Sequence, residues 1–77
     1  MNIQETVASI LSAVLQMPVT PVSGLLRDTT PSWDSLKHVE IIFMVESECG
    51  VSVPPEEFPN LVSQQSIVDF LNHAENA

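Results

Sequence analysis

Residues 35–49, SLKHVEIIFMVESEC, carry apolar side chains round more than half the circumference of the helix they would form. At 3.6 residues per turn, Ile41, Ile42, Val45 and Cys49 share one face and should meet another helix. Leu36, Val39 and Phe43 form a side stripe at i, i+3 and i+7, and Lys37, Glu40, Met44, Ser47 and Glu48 lie opposite the first face. A helix that faces one neighbour needs a narrower apolar stripe. This segment must therefore be clasped on two sides, or keep part of its apolar surface for a partner. Both are expected, with Val39 largely buried and Leu36 and Met44 largely exposed. The ends are marked as well: Asp34 is suited to cap the N-terminus and Gly50 sits where a C-cap glycine belongs.

The rest of the chain supplies the neighbours. In residues 2–16, Ile3, Val7, Ile10, Leu11, Val14 and Leu15 recur at spacings of three and four, an amphipathic helix with a core-facing stripe. Glu5 lies in its early turns, where the helix dipole favours it. Pro18 closes it, because Met17 is pushed away from helical angles. Residues 17–33 then form a connection longer than the ~12–15 residues usual for a structureless loop. Val19, Val22, Leu25 and Leu26 are its expected pins. Pro18, Pro21 and Pro31 stiffen its path, Gly24 permits an unusual backbone angle, and Trp33 anchors its end. Val51-Ser52-Val53 reads as an extended link. Pro54-Pro55 and Glu56-Glu57 suit the start of a short helix, limited by Pro59 to one or two turns, with Phe58 and Leu61 inserted beneath it. A last helix starts at Ser63 as N-cap, covers about residues 64–73 and buries Ile67, Val68, Phe70 and Leu71. Glu75-Asn76-Ala77 should fray.

Seventy-seven residues make one domain, 1–77, with no internal repeat. The 44% hydrophobic content excludes a disordered acidic tail. Ten acidic residues oppose Lys37 and Arg27, a net charge of −8. Nucleic acid is excluded as a partner, since phosphate neutralisation needs Lys and Arg; basic protein surfaces are expected instead. Cys49 is alone, so no disulfide helps the fold, and no zinc-ligand spacing surrounds it. No signal peptide and no apolar run long enough to cross a membrane are visible. The expected setting is the cytoplasm, and the expected state a monomer. The start at Met1 and the acidic end suggest a free-standing protein.

At the junction between the long loop and the second helix stands Trp33-Asp34-Ser35-Leu36. Ser35 falls on the first turn, near the positive end of the dipole, where a phosphate ester would be favoured. Asp34-Ser35-Leu36, followed by Val39-Glu40-Ile41-Ile42 and by Glu46 and Glu48, resembles the acyl carrier proteins and the related peptidyl carriers. The resemblance implies an all-α fold: a small four-helix bundle of acyl-carrier type, with a long first loop and a short, often mobile third helix. It implies that Ser35 is esterified by 4′-phosphopantetheine taken from coenzyme A. The carried group would then be an acyl thioester of a fatty acid or polyketide pathway. The implied partners are a phosphopantetheinyl transferase and acyl-loading and acyl-transferring enzymes with basic docking surfaces. Asp34, Leu36, Glu40, Met44, Glu46 and Glu48 would form the partner-binding face, charged residues around apolar contacts. The sequence departs from the family in placing Phe58-Pro59 within the third helix, and in Lys37 and His38, where many members are acidic or small.

No catalytic constellation is present. Ser35 beside Asp34 and His38 invites a hydrolase reading, but Asp34 is engaged as a cap and no glycine-lined elbow surrounds the serine. His38 is expected on the helix surface or edge, and His73 as a C-terminal dipole partner. The protein is therefore expected to be a non-catalytic substrate of its partner enzymes. Two rival readings stand beside the acyl carrier: an aminoacyl or peptidyl carrier of a non-ribosomal pathway, and an unmodified acidic helical adaptor.

Overall fold

Three caps set where the helices of this chain begin. In the computed structural model, which describes residues 2–75, Asn2 accepts the Glu5 N–H at 3.0 Å and opens α1, Ile3–Leu15. Asp34 opens α2, Ser35–Cys49, through the Lys37 N–H at 2.9 Å. Ser63 opens α3, Gln64–Glu75, by a reciprocal pair with Ser66: each hydroxyl accepts the other's N–H, at 3.0 and 3.1 Å. Each side chain satisfies an amide that the first turn would leave without a partner. Gly50 ends α2 with φ +64°, its N–H bonded to the Glu46 carbonyl at 3.0 Å. Gln16 ends α1 in the same left-handed region at φ 54°, the one non-glycine to do so among the described residues. Short 3-10 turns at Arg27–Thr29 and Pro55–Asn60 complete the helical content. The all-α architecture, with its long first loop and short third helix, is as expected. The helix α3 extends beyond the expected end at His73, and Asn76 and Ala77, with Met1, lie outside the described residues.

The helix α1 packs against both α2 and α3. Its Val7, Ile10 and Leu11 meet Ile41, Ile42 and Val45 of α2 and Ile67, Val68 and Leu71 of α3 in one core, joined by Trp33, Val53 and Leu61. The third side of α2 finds no such cover. Val39, expected to be largely buried, is 38% exposed, and Phe43 beside it is 61% exposed. Met44, expected to be largely exposed, is half-buried against the core, because its flank of α2 leans toward α1.

The long loop is pinned differently from expectation. Val19 and Leu25 pack against the core, but Val22 is almost wholly exposed and Leu26 half so. Val22 rides the tip of a turn closed by bonds between Thr20 and Ser23, so its side chain points away from the bundle. Leu26 is held by its backbone instead, in an isolated antiparallel bridge to Ser63. The Arg27 N–H bonds to the Val62 carbonyl and the Gln64 N–H to the Leu25 carbonyl, both at 2.8 Å. Gln64, buried, adds two side-chain bonds, from its Nε2 to the Thr20 carbonyl at 2.8 Å and to its Oε1 from the Leu25 N–H at 3.1 Å. Buried backbone groups in a loop need partners. Here the start of α3 provides them.

Candidate functional site

Trp33 is 2% exposed and fixes the point at which the loop becomes α2. Its indole N–H donates to His38 Nδ1 at 3.1 Å. Since an indole nitrogen can only donate, Nδ1 is the accepting nitrogen and the ring's hydrogen sits on Nε2. Nε2 then donates to the Phe58 carbonyl at 2.9 Å. His38 therefore ties the loop's end, α2 and the second 3-10 turn together. It is buried, contrary to the expected surface position, because it lies on the core-facing side of the first turn of α2, with its ring under the end of the loop at Trp33. The periodicity of α2 carries a signal of this, since His38 precedes Ile41, Ile42 and Val45 by three, four and seven residues on the same face.

Asp34 is extended, at φ −93° and ψ −174°, and its carbonyl accepts the His38 N–H at 2.9 Å. One residue thus converts loop to helix, and Ser35 is the first residue of α2, exposed to solvent. Beside it lies Arg27. Its Nε donates to the Trp33 carbonyl and its Nη2 to Ser35 Oγ, both at 3.3 Å. Nothing in the local pattern of residues 17–33 marks Arg27 for this place. The available signal was its rarity, as one of two cations in a chain with ten acids.

These contacts limit the chemistry. His38 offers Ser35 no base, since both ring nitrogens are engaged elsewhere. Oδ1 of Asp34 is occupied by the cap. The neighbour that does reach Ser35 Oγ is a donor, and a donor cannot take its proton. Ser35 can accept a group delivered from outside, but it lacks the partner that would make it attack unaided.

The acidic residues of α2 divide into two kinds. Glu40 and Glu48 are exposed, and Glu40 pairs with Lys37 at 3.9 Å, a contact of little energetic weight at the surface. Glu46 is half-buried, and its Oε2 accepts the Val53 N–H at 2.8 Å, clamping the extended link to the helix. Leu36 is 69% exposed, on the same side of α2 as Phe43 and Glu40. A shallow groove of ≈ 420 Å³ adjoins this surface, lined by Ala13, Val14 and Gln16 of α1 and by Lys37, Glu40, Phe43 and Met44 of α2. So Ser35, Leu36, Glu40, Phe43 and Glu48 are open to solvent along one helix, Met44 lines its edge, and Asp34 caps it. Among the described residues no group of three or more His, Cys, Asp or Glu could hold a metal ion. None of their helices is long and apolar enough to cross a membrane.

No family model matches the chain. Individual proteins do. An acyl carrier protein of Thermosynechococcus vestitus is 38% identical over 55 residues, covering 71% of this chain and 65% of that protein, just under two thirds of its length. An acyl carrier protein of Buchnera aphidicola subsp. Baizongia pistaciae is 33% identical over 73 residues, 91% of each chain.

Proposed function

The chain belongs to the acyl carrier protein family, and on that premise we propose that Ser35 carries a 4′-phosphopantetheine arm. The single observation that supports this best is an exposed serine hydroxyl at the first position of a capped helix, with no base within reach. The residues present fit such a group. The ester would project into solvent, and its negative charge would lie at the positive end of the α2 dipole and beside the Arg27 guanidinium. The arm supplies a terminal thiol, on which an acyl cargo is held as a thioester.

The chain's own part is presentation. Ser35 Oγ forms the new P–O bond while the pyrophosphate anhydride of coenzyme A breaks. The serine proton passes to a base of the phosphopantetheinyl transferase, and adenosine 3′,5′-bisphosphate leaves. Asp34 and the Trp33–His38–Phe58 relay hold the helix start in place throughout. The protein itself makes and breaks no bond in the cargo; it is a substrate of enzymes in the cytoplasm that load and transfer the acyl group.

Those enzymes are proposed to dock on α2, with basic residues meeting Glu40 and Glu48 and apolar ones meeting Leu36 and Phe43. Glu46 contributes charge to this face while holding Val53. Glu40→Lys is accordingly expected to lower kcat/KM with transferase or loading enzyme about tenfold at low salt, with a smaller loss as salt rises. Its thermal melt should match that of the parent, since Glu40 is exposed. Equal kinetics for the two chains at every salt concentration would remove Glu40 from the interface.

Intact mass tests the graft. Incubation with coenzyme A and a broad-range transferase should add one phosphopantetheinyl unit to the parent and none to Ser35→Ala. A fully unmodified parent, beside a control carrier that is modified, favours the acidic adaptor. An aminoacyl or peptidyl cargo would leave this result unchanged and would be recognised by the loading enzyme that acts on the modified chain.

A further inference from the structure

Of the two cations in this chain, Lys37 is paired with Glu40 at 3.9 Å. The other, Arg27, has no carboxylate partner among the described residues. It is half-buried beside the one hydroxyl that matters most, with Nη2 3.3 Å from Ser35 Oγ. Its orientation is set by the loop's own backbone. Nε donates to the Trp33 carbonyl at 3.3 Å, and Trp33 is itself locked in the core by His38. A guanidinium has five N–H donors in a rigid plane. Two are used here, and three remain for an acceptor placed just beyond the serine oxygen.

A neutral hydroxyl gives little reason for an unpaired guanidinium to be held there. An anion on that hydroxyl does. Asp34, the chain neighbour of Ser35, is negative and exposed, so a phosphodiester at Ser35 meets repulsion from its cap residue and from the net charge of −8. A guanidinium at the junction offsets that repulsion and forms charge-assisted bonds to phosphate, in the forked geometry to which arginine is suited.

We propose that Arg27 is the anchor for the phosphodiester through which the arm joins Ser35, binding its non-bridging oxygens and restricting the arm's first bonds. This inference rests on Ser35 being the site of attachment. Arg27 acts here as a positioning residue: it takes part in no bond-making step, and sets the direction in which the arm leaves the bundle.

The test compares unmodified and modified forms of the full chain, with mass confirming the modification. In the parent, attachment of the arm should shift the Arg27 15Nε–1H resonance and slow rotation of the guanidinium. Salt at ~1 M should diminish both changes. Attachment should also be tolerated without loss of melting temperature. In Arg27→Gln, attachment should lower the melting temperature by about 4 °C or more relative to its own unmodified form, the scale on which a bundle of this size responds to one lost charge-assisted contact. Arg27→Lys, which keeps the charge without the fork, should fall between the two. A purely structural role for Arg27 would lower both forms of Arg27→Gln equally and leave the parent's guanidinium signal unmoved by modification. That result overturns the anchor while the carrier reading stands. The parent measurement needs no substitution, so it decides even if Arg27→Gln does not fold. A parent that gains no mass overturns the graft and the anchor together.

Discussion

Val45→Asp is expected to abolish the cooperative thermal transition of this chain. Val45 is 0% exposed, on the face of α2 that packs against α1, between Ile41 and Ile42 and the α1 stripe. Neither cation is there to receive a carboxylate: Lys37 is paired with Glu40, and Arg27 is at Ser35. An unpaired charge forced into such a core costs several kcal/mol, and a neutralised carboxyl still lacks hydrogen-bond partners. A bundle of 77 residues has stability near the lower end of ~5–15 kcal/mol, so one such substitution consumes most of it. Circular dichroism should show low helicity and no sigmoidal melt. A retained cooperative melt would show that α2 presents a different face to α1.

His38→Leu is expected to destabilise the same bundle by about 1–3 kcal/mol, from the cost of leaving a buried donor without a partner. The Trp33 indole N–H, in a side chain 2% exposed, loses its acceptor, while the Phe58 carbonyl keeps the Leu61 N–H at 3.3 Å. On the scale of ~4–8 °C per kcal/mol for a chain this small, the melting temperature should fall by roughly 4 °C or more. Because Trp33 is the chain's one tryptophan, its indole 15N–1H resonance reports the break directly. His73→Leu serves as the control. His73 is exposed in the last turns of α3, and its loss should change the melt by less than about 0.5 kcal/mol. Equal melts for the two variants would leave the Trp33–His38–Phe58 relay without energetic weight.

The helices were legible because their information is local. Asp34, Ser63 and Gly50 mark ends that chain geometry requires, and the 3.6-residue recurrence of Ile3, Val7, Ile10 and Leu11 marks a face. Ser35 was legible for the same reason, since its place at a helix start follows from its neighbour. What the sequence left unread joins residues far apart in the chain. Gln64 bonds to the loop across 39 and 44 residues, and His38 bonds to Phe58 across 20. Arg27 reaches Ser35 and Glu46 reaches Val53 across shorter gaps, but no periodicity encodes either contact. The exposure of Val39 escapes the sequence on related grounds. A wheel gives the width of the apolar surface of α2, but not which part of it a neighbour covers.

The central claim is that an outside enzyme grafts an arm onto the hydroxyl at the start of α2. Fragmentation of the chain after treatment with coenzyme A and transferase tests it most directly, because it locates any added mass. The account predicts a single phosphopantetheinyl addition on the peptide that contains Ser35, and none on peptides containing the other serines. An addition elsewhere, or a parent chain unchanged beside a modified control, contradicts it.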